Sequence, residues 1–467
     1  MARIYLISPP YHGVYRKINS KNFGVLQPPL GLAYIASYLK SRKHYVKIFD
    51  SSFSLDVFKD IKNQVHEFSP DFVVLTATTP QIDFAFKIAE YIKGMAPAIK
   101  IILGGFHVSA LPKESISHPD IDIIVCGEGE ITVSEIVEGE EINRIKGVCF
   151  REGPEIKINP SRLLIEDLDS LPFPLWEQLP VKSYFYFPEK TVGVISGRGC
   201  LYNCSFCASA VINQHRYRTR SPGNFVAEIE WLGKNFGTKH LFFIDETFTS
   251  QPQRTEEICR LILKKKLLFK WTCDTRADCL TKGMLKLMKL SGCHTIRIGV
   301  ESADDQVLQA TGKKITLGQV ERAISWAREL GIKTTAYFLL GLPYETEISL
   351  AKTLNFAKKL KTDLAHFTML VPLPGTRIWE IVKEGKILRS TAKDWSQYVR
   401  YDQAIVESDH LSTTKLFQFH RQMIRSYYLS PGYIFRRLSG IKSFKELYEL
   451  SKGGGALAKM VFQKTCR

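Results

Sequence analysis

The sequence predicts an α/β protein: a doubly wound, Rossmann-like N-terminal domain, then an open (β/α)6 barrel, then a helical C-terminal region. Three observations carry this. Short β-branched runs alternate with amphipathic stretches over residues 1–140. A strand-then-helix alternation repeats six times over residues 191–375. Between them, residues 141–190 change to a hairpin pattern and a Pro-rich stretch.

In the first segment the expected strands are Ile4–Ser8, Tyr45–Asp50, Phe72–Ala77, Ile99–Gly104 and Ile121–Val125. Helices are expected near Leu30–Ser41, Leu55–Phe68 and Asp83–Met95. Apolar runs bounded by turn residues suit a parallel sheet covered on both faces. In the connection, Glu152-Gly153-Pro154 separates two alternating runs, a hairpin signal, and Leu171-Pro172-Phe173-Pro174 reads as extended linker. The barrel strands are expected near Val192–Ser196, Leu241–Asp245, Phe269–Thr275, Thr295–Val300, Thr334–Leu340 and His366–Val371. Six units are too few for the eight-fold barrel but enough for an open one, with its site at the carboxyl ends of the strands. Residues 376–467 read as helical and increasingly basic.

Composition narrows the function classes. Apolar residues make up 45% and charged residues 24% of 467, which excludes collagen-like and disordered chains. No apolar run reaches the roughly 18 residues of a membrane span, and the N-terminus lacks a signal-peptide pattern. A cytoplasmic location is therefore expected, with the ten cysteines reduced rather than forming a disulfide framework. Sixty-four Lys and Arg against 47 Asp and Glu give a net charge of +17. Residues 411–467 hold eleven of the cations and two of the anions, so this tail carries +9. Interleaved with aromatics such as Tyr427, Tyr428 and Tyr433, it suits a helical cap over the barrel or an interfacial helix on anionic lipid. Nucleic acid is the least favoured partner.

The sharpest motif is Gly197-Arg198-Gly199-Cys200-Leu201-Tyr202-Asn203-Cys204-Ser205-Phe206-Cys207, a C-x3-C-x2-C triplet directly after the first barrel strand. So tight a loop can bring three thiolates onto one cuboidal iron–sulfur cluster and leave one iron open. The alternatives are three buried structural cysteines, or a zinc site lacking a ligand. Zinc loops more commonly pair cysteines as C-x2-C.

The triplet, with an aromatic before its last cysteine, resembles the radical S-adenosylmethionine (SAM) superfamily. The resemblance implies a 4Fe-4S cluster on Cys200, Cys204 and Cys207, chelation of S-adenosylmethionine, reductive cleavage to a 5′-deoxyadenosyl radical, and an electron donor such as flavodoxin or ferredoxin. It also implies cofactor-holding residues at successive strand ends. Asp245 and Glu246 stand where the family commonly has Gly-Gly-Glu for the methionine amino group. Arg276 is the candidate for the methionine carboxylate, Glu301 for the ribose hydroxyls, and Gly341 opens the loop that packs on adenine.

The first domain resembles the cobalamin-binding domain preceding one branch of that superfamily. The residues carrying this are Pro28-Pro29-Leu30-Gly31-Leu32-Ala33-Tyr34, Gly104-Gly105-Phe106-His107, Gly127-Glu128-Gly129-Glu130 and Asp167–Pro174. Cobalamin is thus implied, with Gly104 and Gly105 letting backbone approach the macrocycle. The D-x-H-x-x-G motif that supplies a lower cobalt ligand is absent; His12 and His107 are the nearest imidazoles, and a lone His near a turn is more commonly structural. That branch contains methyltransferases acting on unactivated carbon or phosphorus and an anaerobic magnesium-protoporphyrin monomethyl ester cyclase. Radical methylation of a small or lipophilic substrate is the favoured activity, and radical cyclisation or oxidation is the alternative. A cobalamin-binding sensor or carrier without catalysis leaves the triplet unexplained. Cys273, Cys279 and Cys293 match no second-cluster spacing, and Cys126 and Cys259 sit in settings usual for buried cysteines.

Overall fold

The computed structural model describes residues 1–10, 25–186, 190–401 and 403–439. Strands β1 (Arg3–Ser8), β2 (Tyr45–Asp50), β3 (Phe72–Thr76), β4 (Lys100–Gly104) and β5 (Ile123–Val125) pair in parallel. Their order is β2-β1-β3-β4-β5. Strand order reverses between β1 and β3, which opens a crevice at the carboxyl edge. Ile4 and Leu6 of β1 pack with helix Leu30–Ser41 on one face. Tyr5 and Ile7 pack with helices Val57–Phe68 and Ile82–Met95 on the other. Burial on both faces is why this strand reads as an unbroken apolar run.

The hairpin β6 (Val148–Glu152) and β7 (Glu155–Ile158) does not stand in the connection. It adds antiparallel to β5 and makes the sheet seven-stranded. A bare β5 would present unpaired backbone at the sheet edge, and the hairpin covers it.

The linker then joins the two parts through buried polar contacts. Trp176 Nε1 donates to Glu228 of helix Pro222–Phe236 at 2.7 Å. Arg220 pairs with the same carboxylate. Apolar residues of the first sheet, the linker and the barrel helices form one continuous core.

The barrel strands β8 (Val192–Val194), β9 (His240–Phe243), β10 (Lys270–Thr275), β11 (Cys293–Glu301), β12 (Lys333–Leu340) and β13 (Leu364–Met369) pair in sequence order, all parallel. Beyond β13 the chain is less uniformly helical than expected. Helix Arg377–Glu384 leads into a strap containing the short pair Arg389–Ser390 and Val406–Glu407, then helices Thr413–Tyr428 and Pro431–Ser439.

The tail's tyrosines serve the cap rather than a free surface. Tyr427, Tyr428 and Tyr433 donate to the carbonyls of Thr362, Ala365 and Asp363 at 2.8, 2.8 and 3.0 Å. Ile434, Phe435 and Leu438 remain exposed. The run Ala456–Phe462 and its preceding glycines lie outside the described residues, as does His12. No helix among the described residues is long and apolar enough to cross a membrane.

Trp176→Phe keeps an aromatic ring but removes the N–H that donates to Glu228, leaving that buried carboxylate to Arg220 alone. We expect a loss of about 1–3 kcal/mol in chemical unfolding of the cofactor-free protein.

Candidate active site

The cysteine loop leaves the barrel on a stem, Gly197–Gly199, paired antiparallel with Tyr217–Thr219. Gly199 has φ +90° and a side-chain carbon there would stand 2.1 Å from the Arg216 carbonyl, so only glycine fits. Within the stem, Arg198 reaches into the first domain. Its Nη1 and Nη2 donate to Glu128 and Glu130 at 2.7 and 2.6 Å. Arg218 donates to Glu128 at 2.7 Å. Tyr34 places its ring 4.8 Å from the Arg198 guanidinium. Burial works against an ionised Glu128, but hydrogen bonds from Arg218 and Arg198 outweigh it and hold the carboxyl below its ordinary value.

The far side of the loop rests on the barrel. Ser205 N–H donates to the Thr311 carbonyl at 2.8 Å, and Arg276 lies 3.5 Å over the Tyr202 ring. Gly312 has φ +68°, and a side chain there would meet the Asn203 carbonyl at 2.9 Å.

Cys200 lies 3.7 Å from Thr247 Oγ1, and Cys207 is exposed. Burial pushes the Cys207 thiol up to about 11 and raises Cys204 as well, with a smaller contribution from Cys200 to both. Three crowded thiols become thiolates when a metal supplies the compensating charge. Among the described residues no three His, Cys, Asp or Glu side chains converge tightly enough for a single metal ion. A mononuclear zinc would need thiolates roughly 4 Å apart around one centre, whereas a cuboidal cluster spreads its ligands over separate irons. The donor set fits the cluster.

The other strand-end residues gather around this loop. Asp245 is buried and accepts from Ser196 N, Ser196 Oγ and Tyr217 OH at 2.8, 2.6 and 3.3 Å; burial raises its pKa. Glu246 accepts from Gly199 N–H and Ser209 Oγ at 3.1 and 3.0 Å and stays open to the barrel mouth. Crowding raises its carboxyl too. Arg276 commits Nε and Nη2 to Asp278, and Nη2 also to the Lys313 carbonyl at 2.6 Å. Glu301 adopts φ +69°, uncommon for a non-glycine residue, and pairs with Lys313 at 2.5 Å. Gly341 has φ +93° and abuts Leu416 of the C-terminal helix; its N–H donates to Glu345. Burial lifts the Glu345 carboxyl to about 8, and its Oε1 has no hydrogen-bond partner among the described residues.

Sequence reasoning missed Arg198, Lys313 and Glu345. Only the glycine before Lys313 and the Gly-x-x-x-Glu spacing after β12 offered a local signal.

At the first domain's carboxyl edge, Gly104 has ordinary packing room. Gly105 (φ +111°) is required by its own sheet, because a side chain would stand 2.6 Å from the Ala77 carbonyl. The sheet by itself thus suffices to require glycine at 105. The edge still fits a flat ligand: Gly127 faces open space, and the Phe106 ring is 38% exposed. His107 turns inward, 3.3 Å from Thr79 Oγ1 and 4.8 Å from the Trp395 ring, and burial lowers its pKa to about 4. It is a packed core histidine. Cys279 bonds Tyr202 OH beside the loop, apart from the fully buried Cys273 and Cys293, so the three make no second metal set.

A three-cysteine loop at the mouth of an open parallel barrel, clasped to a doubly wound domain, defines a two-cofactor enzyme architecture. Residues 194–357 match the radical SAM superfamily, and residues 16–137 match the B12 binding domain. An uncharacterized methyltransferase of Pyrococcus horikoshii is 33% identical over 439 residues, covering 93% of this chain and 94% of that protein. The anaerobic magnesium-protoporphyrin IX monomethyl ester cyclase of Rubrivivax gelatinosus is 30% identical, covering 81% and 69%. The radical S-adenosylmethionine methyltransferase TsrM from Kitasatospora setae shares the fold, with a TM-score of 0.75 at 15% identity, covering 98% and 99% of the two chains. The chain belongs to the radical SAM superfamily, in the branch with an N-terminal B12-binding domain, and is a radical SAM enzyme whose cofactors are a 4Fe-4S cluster, S-adenosylmethionine and cobalamin.

Two outcomes test this geometry. Arg198→Met leaves Glu130 buried without its cation, and chemical unfolding should show a loss of about 3–5 kcal/mol. For Glu345, the native carboxyl holds its proton up to about pH 8 while the unfolded one loses it near the ordinary value. Stability from this group is complete at low pH and is lost as pH rises to 8. Between pH 5 and 7.5 the native protein should lose roughly 1.4 kcal/mol per pH unit relative to Glu345→Gln, read by denaturant unfolding.

Proposed function

We propose that this enzyme methylates an unactivated carbon, or a phosphorus, of a small or lipophilic substrate. The observation that carries the reading is the clasp of Glu128 and Glu130 on Arg198, two residues before Cys200. It ties the loop that would hold the cluster to the sheet edge that would hold the corrinoid. A substrate placed between them meets both. When bound, the cluster and S-adenosylmethionine supply a hydrogen-abstracting 5′-deoxyadenosyl radical, and cobalamin supplies the methyl group.

The chain's own residues then have these roles. Cys200, Cys204 and Cys207 bind the cluster. Glu246, open to the barrel mouth and oriented by Gly199 and Ser209, accepts from the methionine ammonium. Asp245, locked by Ser196 and Tyr217, fixes the turn that presents Glu246. Arg276 lies beside the loop to face the methionine carboxylate, and Glu301 takes ribose hydroxyls. The Gly341 loop, braced by Glu345, packs on adenine. We assign residues 1–140 to corrinoid binding, 141–190 to the hairpin that completes the first sheet and the Pro-rich linker after it, 191–375 to the radical barrel and 376–467 to the basic C-terminal region. The exposed Ile434, Phe435 and Leu438 beside Arg436 and Arg437 form a peripheral contact for an anionic membrane.

Radical cyclisation is the second reading, favoured by the 30% identity to the cyclase.

The test is anaerobic reconstitution with hydroxocobalamin, then incubation with methyl-labelled S-adenosylmethionine and candidate substrates. Label in product together with 5′-deoxyadenosine is expected, and Cys204→Ala should abolish both and lose the cluster. Formation of 5′-deoxyadenosine with product but no label would favour cyclisation. A Cys204→Ala protein that keeps its full iron content would overturn the site.

A further inference from the structure

Lys313 enters this site without a part in the reading above. Helix Asp305–Thr311 ends at Gly312 and returns the chain beneath the cysteine loop. That return is the strip on which the loop lies. Thr311 takes the Ser205 N–H, Gly312 abuts the Asn203 carbonyl, and the Lys313 carbonyl takes Arg276, whose guanidinium stacks on Tyr202. These contacts bracket Cys204 on both sides in sequence. The Lys313 side chain is 7% exposed and its Nζ pairs with Glu301. The pair lies over Gly299, where a side-chain carbon would stand 2.3 Å from Nζ and 2.4 Å from the Glu301 carboxylate. A side chain at position 299 would push the pair from this place.

We propose that the buried Lys313–Glu301 pair sets the reduction potential of the cluster carried by Cys200, Cys204 and Cys207, Lys313 raising it and Glu301 lowering it. The proposal rests on the assignment of those cysteines to the cluster. Reduction adds one electron and therefore one negative charge to the cluster. A fixed cation nearby favours the reduced form and a fixed anion opposes it. Both effects are stronger in a crowded, poorly hydrated site than in water. Neutralising either partner leaves the other uncompensated, so the two substitutions have opposite effects.

The experiment uses the reconstituted full-length protein without S-adenosylmethionine. Iron and sulfide are measured first in each variant. Dithionite then delivers one electron per cluster in steps, and the reduced-cluster resonance is followed against potential. Lys313→Gln should move the midpoint to more negative potential, Glu301→Gln to more positive potential, and Lys313→Arg should restore the wild-type value. Loosening of the loop would move the two neutral variants in the same direction, so a common sign overturns the proposal. So do equal midpoints at full cluster content. If the wild-type protein holds no iron, the cluster assignment falls, and this proposal with it; a normal cluster with unshifted midpoints sinks the electrostatic claim alone.

Discussion

Two carboxylates of the first domain and two guanidiniums of the barrel meet in a buried cluster, and the placement of Cys200 depends on it. Glu128 and Glu130 hold Arg198, and Arg218 completes the ring through Glu128. Desolvating four charges is costly, and their mutual attraction mainly offsets that cost. The cluster's value lies in specificity. Arg198 has one position in which both of its nitrogens meet carboxylates, and Gly199 converts that position into the direction in which the cysteine loop departs. The Gly-Glu-Gly-Glu run, which resembles a signature of the corrinoid domain, thus acts on the cysteine loop of the barrel.

The loop is consequently held from two sides by different physics. On the stem side the hold is ionic and directional. On the barrel side it is steric and backbone-based: Ser205 on Thr311, Asn203 against Gly312, and Tyr202 beneath Arg276. The thiols themselves take little part in either. The backbone around them is what is held, an arrangement that suits a site whose side chains must keep fixed places.

Much of this was legible in the sequence, for a physical reason. Strand and helix periods are local, so the strands fall within two or three residues of their expected bounds, β2 and helix Leu30–Ser41 without any shift. The cysteine triplet is equally local. What the sequence hid is whatever depends on long-range partners. The hairpin's attachment to β5 is a choice of edge, which alternation does not encode. Arg198 finds its carboxylates some 70 residues upstream. Lys313 looks like any lysine after a helix until Glu301 is folded beside it. The tail's tyrosines, read with their neighbouring arginines, resemble a surface-seeking stripe; only the carbonyls at the start of β13 show them to be cap anchors. Gly105 carries a second reason that its local sequence does not show: a side chain there would meet the Ala77 carbonyl.

The strap after the barrel has a consequence for biosynthesis. Trp395 donates to Glu114 at 2.9 Å and packs its ring on His107, across 281 residues of chain. It also packs at a tilt against Trp379 and Tyr398, in an apolar cluster that includes Phe206 of the cysteine loop. The first domain emerges from the ribosome long before residue 395 does, so its rim stays unfinished while the barrel is being made. Sequential synthesis therefore leaves this rim of the first domain open through most of translation and closes it only when the same strap also meets the flank of the cysteine loop.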